Sequence, residues 1–107
     1  MEYIELTTTC ENHTIASKLA KIIIEHRYAA CVQLCPIESY YIWENEVCIS
    51  QEVKLSCKTM RNIQESLQDL ICKHSSYDLP QIIVTPIIDG TNAYLEWIKQ
   101  SILETKK

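Results

Sequence analysis

A single glycine, Gly90, serves 107 residues, and phenylalanine is missing altogether. So little glycine excludes the phosphate-cradling loops in which several glycines let the backbone approach a pyrophosphate closely. Arginine is nearly as scarce, at Arg27 and Arg61 alone, and the formal net charge is −4. With a pI near 5.3, that balance argues against nucleic acid as a partner, since such affinity comes largely from Lys and Arg neutralising phosphates. No run approaches the roughly 18 apolar residues of a membrane span, and Met1-Glu2-Tyr3 lacks the basic start of a signal peptide. A cytoplasmic protein without a membrane partner is therefore expected. Gly-x-Ser-x-Gly, His-Glu-x-x-His and Cys-x-x-Cys are all missing, and nothing supplies a third group to orient a Cys31–His74 nucleophile and base. The expectation is a protein that is not an enzyme.

The hydrophobic fraction of 47% and charged fraction of 22% belong to an ordinary globular protein, and the length fits one domain over 1–107. Six cysteines, at 10, 31, 35, 48, 57 and 72, read as reduced thiols in the expected compartment.

The dominant pattern runs from Ser39 to Thr59. Tyr40, Tyr41, Ile42 and Trp43 are strand formers, Glu44-Asn45-Glu46 is a polar interruption centred on Asn45, and the strand signal then resumes. Val53, Leu55 and Cys57 point one way while Glu52, Lys54 and Ser56 point the other. This predicts a long β-hairpin. Ahead of it, Tyr3–Thr9 reads as a strand. Ile15, Ala16, Leu19, Ile22 and Ile23 mark an amphipathic helix capped by Asn12 or Thr14 and ended by His26 and Arg27. Ala29–Cys35 reads as a strand terminated by Pro36.

After the hairpin, Thr59 or Asn62 is expected to cap a second helix with the stripe Ile63, Leu67, Leu70, Ile71, continued by His74. Gln81–Ile88 is so continuously apolar that neighbours are expected on both of its faces. Asp89-Gly90 then turns into a third helix, about Asn92 to Leu103, burying Tyr94, Leu95, Ile98 and Ile102, with Lys106-Lys107 as a frayed end.

The order β, α, β, β, α, β, then α predicts an α+β, ferredoxin-like βαββαβ sandwich with an extended hairpin and a C-terminal helix. Two helices would cover one sheet face. The other would carry Tyr3, Glu5, Cys31, Gln33, Cys35, Glu52 and Lys54, and the hairpin's outer end would expose Tyr40 to Trp43. Exposed aromatic patches mark contact surfaces, so a closed homo-oligomer is expected.

With these elements placed, the chain resembles the CutA divalent-cation tolerance family over nearly its whole length. The resemblance is carried by Ala29-Ala30-Cys31-Val32, by Ser39-Tyr40-Tyr41-Ile42-Trp43, by Glu52-Val53 through Lys58-Thr59, by His74, Tyr77 and Pro80, and by Tyr94-Leu95-Glu96-Trp97. It implies a cytoplasmic homotrimer whose hairpins pack between subunits, associated with copper binding and metal tolerance. It also implies that Cys31, Glu52 and His74 contact a metal or small ligand, with copper or another divalent cation as the ligand. The chain departs from the family pattern at Gln33, Asn45, Ser75-Ser76, Gln81 and Thr8, the last standing where some members carry a copper-binding thiol.

Each candidate also has a plainer reading. His74 suits a core-edge histidine bonded to a backbone carbonyl as well as a ligand, Glu52 suits an ion pair with Lys54, and Cys31 suits a small buried hydrophobe. The rival function is a signalling trimer resembling the nitrogen-regulatory PII proteins, binding a small molecule or a partner protein without selective metal affinity; fold alone does not separate the two.

Overall fold

The computed structural model describes residues 2–102. Strand β1 (Tyr3–Cys10) leads to helix α1 (His13–Glu25). The long strands β2 (Cys31–Trp43) and β3 (Glu46–Met60) follow, then one 3-10 turn (Arg61–Ile63), helix α2 (Gln64–His74), the short strand β4 (Ile83–Pro86) and helix α3 (Asn92–Ser101). The sheet is antiparallel in the order β2-β3-β1-β4, which with the helices gives the expected α+β sandwich.

Local chemistry sets the boundaries. The Asn12 side chain accepts the Ile15 N–H at 2.9 Å and starts α1. At the other end the Tyr28 N–H reaches the Ile23 carbonyl and the Arg27 N–H the Ile24 carbonyl, with Arg27 left-handed at φ 60°. This is the Schellman closure, with arginine in the place glycine prefers. The His26 ring lies 2.9 Å from the Ile22 carbonyl and closes the same turn. The hairpin turns through Glu44 (φ 52°) and Asn45 (φ 68°) between the paired Trp43 and Glu46. Two positive φ values in a two-residue loop match the twist of the flanking strands.

One core lies between the sheet and α1 and α2. Leu6, Ala16, Leu19, Ile23, Leu55, Cys57, Leu67 and Ile71 meet there, nearly all inaccessible, as the strand parity and helix stripes require. Burying each large aliphatic side chain contributes roughly 1.5–3 kcal/mol.

Five expectations are corrected. Pro36 does not end β2; it sits inside the strand opposite Val53, tolerated because β2 is an outer strand with one partner. Neither Thr59 nor Asn62 caps α2, because the 3-10 turn takes up the entry: Ile63 occupies the cap position without a side-chain bond, and Thr59 donates to the Tyr28 carbonyl at 2.8 Å. The last strand is only Ile83–Pro86, and its faces are not both covered within the chain. It lies at the sheet edge with β1 as its single partner, leaving Ile83 exposed and Ile88 exposed at 93%. The face opposite α1 and α2 is not bare throughout, since α3 lies over one end of it. There Met60, Ile63, Ile98 and Ile102 form a second core against Tyr3, Ala30 and Leu95. Tyr94 stays exposed on α3. Lys106 and Lys107 lie outside the described residues.

Beyond Val53, β3 has no neighbour but β2, so the outer half of the hairpin stands clear of the sheet. Tyr40, Ile42, Val47 and Ile49 share one of its faces and Tyr41 and Trp43 the other, all exposed, with Val47 at 74%.

Candidate functional site

The register separates two of the three metal candidates. Cys31 faces Lys58 and Glu52 faces Ile37, six rungs apart on the same face of the ribbon. At about 3.3 Å per residue that is roughly 20 Å, far beyond any shared coordination sphere. His74 ends α2, exposed, beside a void of about 10 Å³ shared with Cys10, Glu11 and Tyr77. One chain therefore does not bring Cys31, Glu52 and His74 together. Among the described residues, no three His, Cys, Asp or Glu side chains gather closely enough to hold a metal.

Each candidate nonetheless has a definite setting. Cys31 is half-buried at the start of β2, on a polar stretch of the open face. Nearby, the Lys58 ammonium donates to the Gln33 side chain at 2.6 Å and the Ser56 hydroxyl donates to the Glu5 carboxylate. Glu52 does not take Lys54 as its partner. It accepts the Tyr77 hydroxyl at 2.6 Å, so the loop after α2 is tied to the hairpin by one charge-assisted bond.

That bond stands at the edge of a cleft of about 710 Å³ between the hairpin and the loop, walled by Tyr41, Trp43, Cys48, Glu52, Tyr77 and Asp78. Among the described residues, lysine, arginine and histidine contribute nothing to its lining. Burial raises the Tyr77 phenol well above its ordinary value, and the Glu52 carboxylate adds to the shift, so Tyr77 keeps its proton and donates at any physiological pH. Burial likewise raises the Cys10 thiol, with Glu11 and Glu52 adding to it, and Cys57 is pushed up to about 12, chiefly by burial. Both thiols are protonated near neutrality and are weak soft-metal ligands in this state.

Tyr77, Asp78 and Cys48 complete a setting that periodicity does not reveal. They come from a loop and from the hairpin arm, and the only signal in the sequence is Tyr77 as a landmark of the resemblance.

The comparisons then decide the family. A family model described as CutA1 divalent ion tolerance protein matches residues 4–101. The chain belongs to this family. It is 39% identical over 94 residues to the chloroplastic protein CutA of Arabidopsis thaliana, covering 87% of this chain and 52% of that one. It is 33% identical over 102 residues to the divalent-cation tolerance protein CutA of Thermus thermophilus, covering 94% and 98%. The chain spans about half the length of the curated Arabidopsis, human and rice relatives it matches. Among solved structures, CutA1 from Oryza sativa superposes with a TM-score of 0.95 at 36% identity, covering 98% of this chain and 97% of that one. A CutA from Archaeoglobus fulgidus, described as periplasmic, gives 0.90 at 28% identity over 92% and 97%.

Proposed function

We propose that the protein is a cytoplasmic, non-enzymatic homotrimer that binds divalent cations, copper among them, and contributes to divalent-cation tolerance. Glu52 carries this reading: a carboxylate fixed by Tyr77 in a cleft whose lining holds no basic residue among the described residues. Such a site favours positive charge, and it is open to ligands brought by a sister chain. Assembly would supply the Cys31 that a single chain keeps distant from Glu52, or add a second His74. The exposed hairpin supports the assembly, because it carries apolar side chains on both faces. Six unpaired cysteines suit a reducing compartment. Cell fractionation tests that placement, and recovery from the periplasm, the location given for the Archaeoglobus relative, overturns it.

Calorimetry with Cu(II) tests the site. Glu52→Gln and His74→Ala should each weaken binding by about tenfold or more, the equivalent of about 1.4 kcal/mol. Equal affinity in all three proteins removes both residues as ligands. A thiolate-to-copper absorbance lost in Cys31→Ser would add Cys31 to the set. The size of the cleft favours a second reading, a PII-like module for a small molecule, since about 710 Å³ far exceeds the space of a bare ion.

A further inference from the structure

We propose that Asp89-Gly90 is a self-modification site, at which the Asp89 side chain closes on the Gly90 nitrogen and reopens as isoaspartate, loosening α3. No residue of the candidate metal site takes part, so this inference stands or falls apart from the proposed function.

The reaction needs no co-reactant but water. The Gly90 amide nitrogen attacks the side-chain carboxyl carbon of Asp89 in its acid form. The new C–N bond closes a succinimide ring, and the amide proton leaves with the carboxyl hydroxyl as water. Water then adds back to either ring carbonyl. Addition at the side-chain carbonyl breaks the new bond and restores aspartate. Addition at the backbone carbonyl breaks the original peptide bond, so the chain now runs through the side-chain carbon and is longer by one backbone atom, with mass and formal charge unchanged.

Several features single out this position. The Gly90 N–H donates to Asp89 Oδ1 at 2.8 Å, so the carboxyl group is already folded back on the amide that attacks it. Groups held in this way need little further ordering to react. Gly90 is the one glycine of the chain, and without a Cβ its nitrogen is approached unhindered. The fold itself does not demand glycine there: its φ is not positive, and an added Cβ would lie 3.4 Å from the Leu95 side chain, an ordinary contact. Both residues are exposed, so water reaches the ring. They also lie at the end of the sheet away from the hairpin. The Ile87 N–H bonds to the Tyr3 carbonyl beside the Tyr3–Met60 rung, whereas the hairpin runs out beyond the Cys10–Val53 rung at the other end. The surface that the hairpin brings to an assembly is therefore not the one that carries Asp89.

The consequence falls on α3. On one side of the pair stands the 2.9 Å bond from Ile87 to Tyr3; on the other, the Thr91 hydroxyl accepts the Tyr94 N–H at 3.4 Å and its carbonyl the Leu95 N–H at 3.0 Å. An extra backbone atom between these anchors displaces one of them. β4 is held in the ladder with β1, while α3 buries only Ile98 of its ten residues, so the helix is the part that gives.

Peptide mapping of the assembled protein tests this. After weeks near neutral pH, tryptic digestion should yield a second form of the 74–99 peptide, unchanged in mass. The endoprotease Asp-N should no longer cut it before residue 89, and it should accept a methyl group from an isoaspartyl carboxyl methyltransferase. Asp89→Glu keeps the charge but would have to close a larger ring, so it should yield none, and Gly90→Ala should yield several-fold less. Amide exchange along α3 should quicken in proportion to the isoaspartate formed, and not in aged Asp89→Glu. The proposal is overturned if the assembled protein forms no isoaspartate, whether or not a urea-unfolded sample aged beside it does, since the fold or a sister chain then shields the pair. Equal yield from Asp89→Glu, which would place the isomer at Asp78 or Asn92, overturns it too, as does unchanged exchange along α3 in converted protein.

Discussion

Arg27, Glu44 and Asn45 occupy the left-handed region, where a Cβ costs about 1–2 kcal/mol for residues other than glycine and, less so, asparagine. The one glycine, Gly90, is not used in this way. Replacing Arg27 with glycine should therefore stabilise the fold by about 0.5–1 kcal/mol, after allowance for the greater freedom of the unfolded chain. Melting should rise by roughly 4 °C, and an unchanged or lower midpoint contradicts the Schellman geometry at the end of α1. Cys57 gives a prediction in pH. Its thiol rises from 9.0 to about 12 on folding, so the unfolded chain ionises first. The stability this provides is complete below pH 9 and is lost as pH climbs toward 12. Alkaline melting curves of wild type should fall more steeply than those of Cys57→Ala, and parallel curves would show that Cys57 is not buried as described.

At the scale of elements, β1, α1, the hairpin and the stripes of α2 and α3 are legible in the sequence because each carries its own periodicity. Leu55 and Cys57 alternate with charge, and Leu67, Leu70 and Ile71 recur at helical spacing. What periodicity does not carry is position in the sheet. Pro36 reads as a stop only until β2 is known to be an outer strand, and Gln81 to Ile88 reads as doubly covered only until β4 is known to lie at the opposite edge. The site divides in the same way. Glu52 is visible as an outward residue of the hairpin, but its bond to Tyr77 joins a strand to a loop 25 residues later, and no local pattern encodes that contact. Cys31, Glu52 and His74 lie on three different elements, and it is the register, unavailable before the sheet is assembled, that sets Cys31 and Glu52 six rungs apart.

On the scale of the whole molecule, the chain extends 44 Å along its longest axis against 26 and 22 Å, because the hairpin projects beyond the packed layers. Ile42 and Val47 face each other on that projection, exposed at 66% and 74%. Sedimentation at micromolar concentration should give a trimer. Ile42→Ser combined with Val47→Ser should weaken assembly by about tenfold or more, since burying each side chain is worth roughly 1.5–3 kcal/mol. A compact single subunit with Tyr41 and Trp43 in water refutes the assembly and with it the intersubunit setting of the metal.

The turn at Glu44 and Asn45 also orders events in time. Residues flanking it are neighbours along the chain, so the ribbon can zip outward from that point within microseconds, while β1 must search for β3 from the far end of the polypeptide. The pairings of the projection are thus the most local in the sheet, although two strands alone are only marginally stable until the rest packs against them. Correct assembly and mistaken clumping begin from the same surface, and which of them wins is decided by how crowded the newly made chains are.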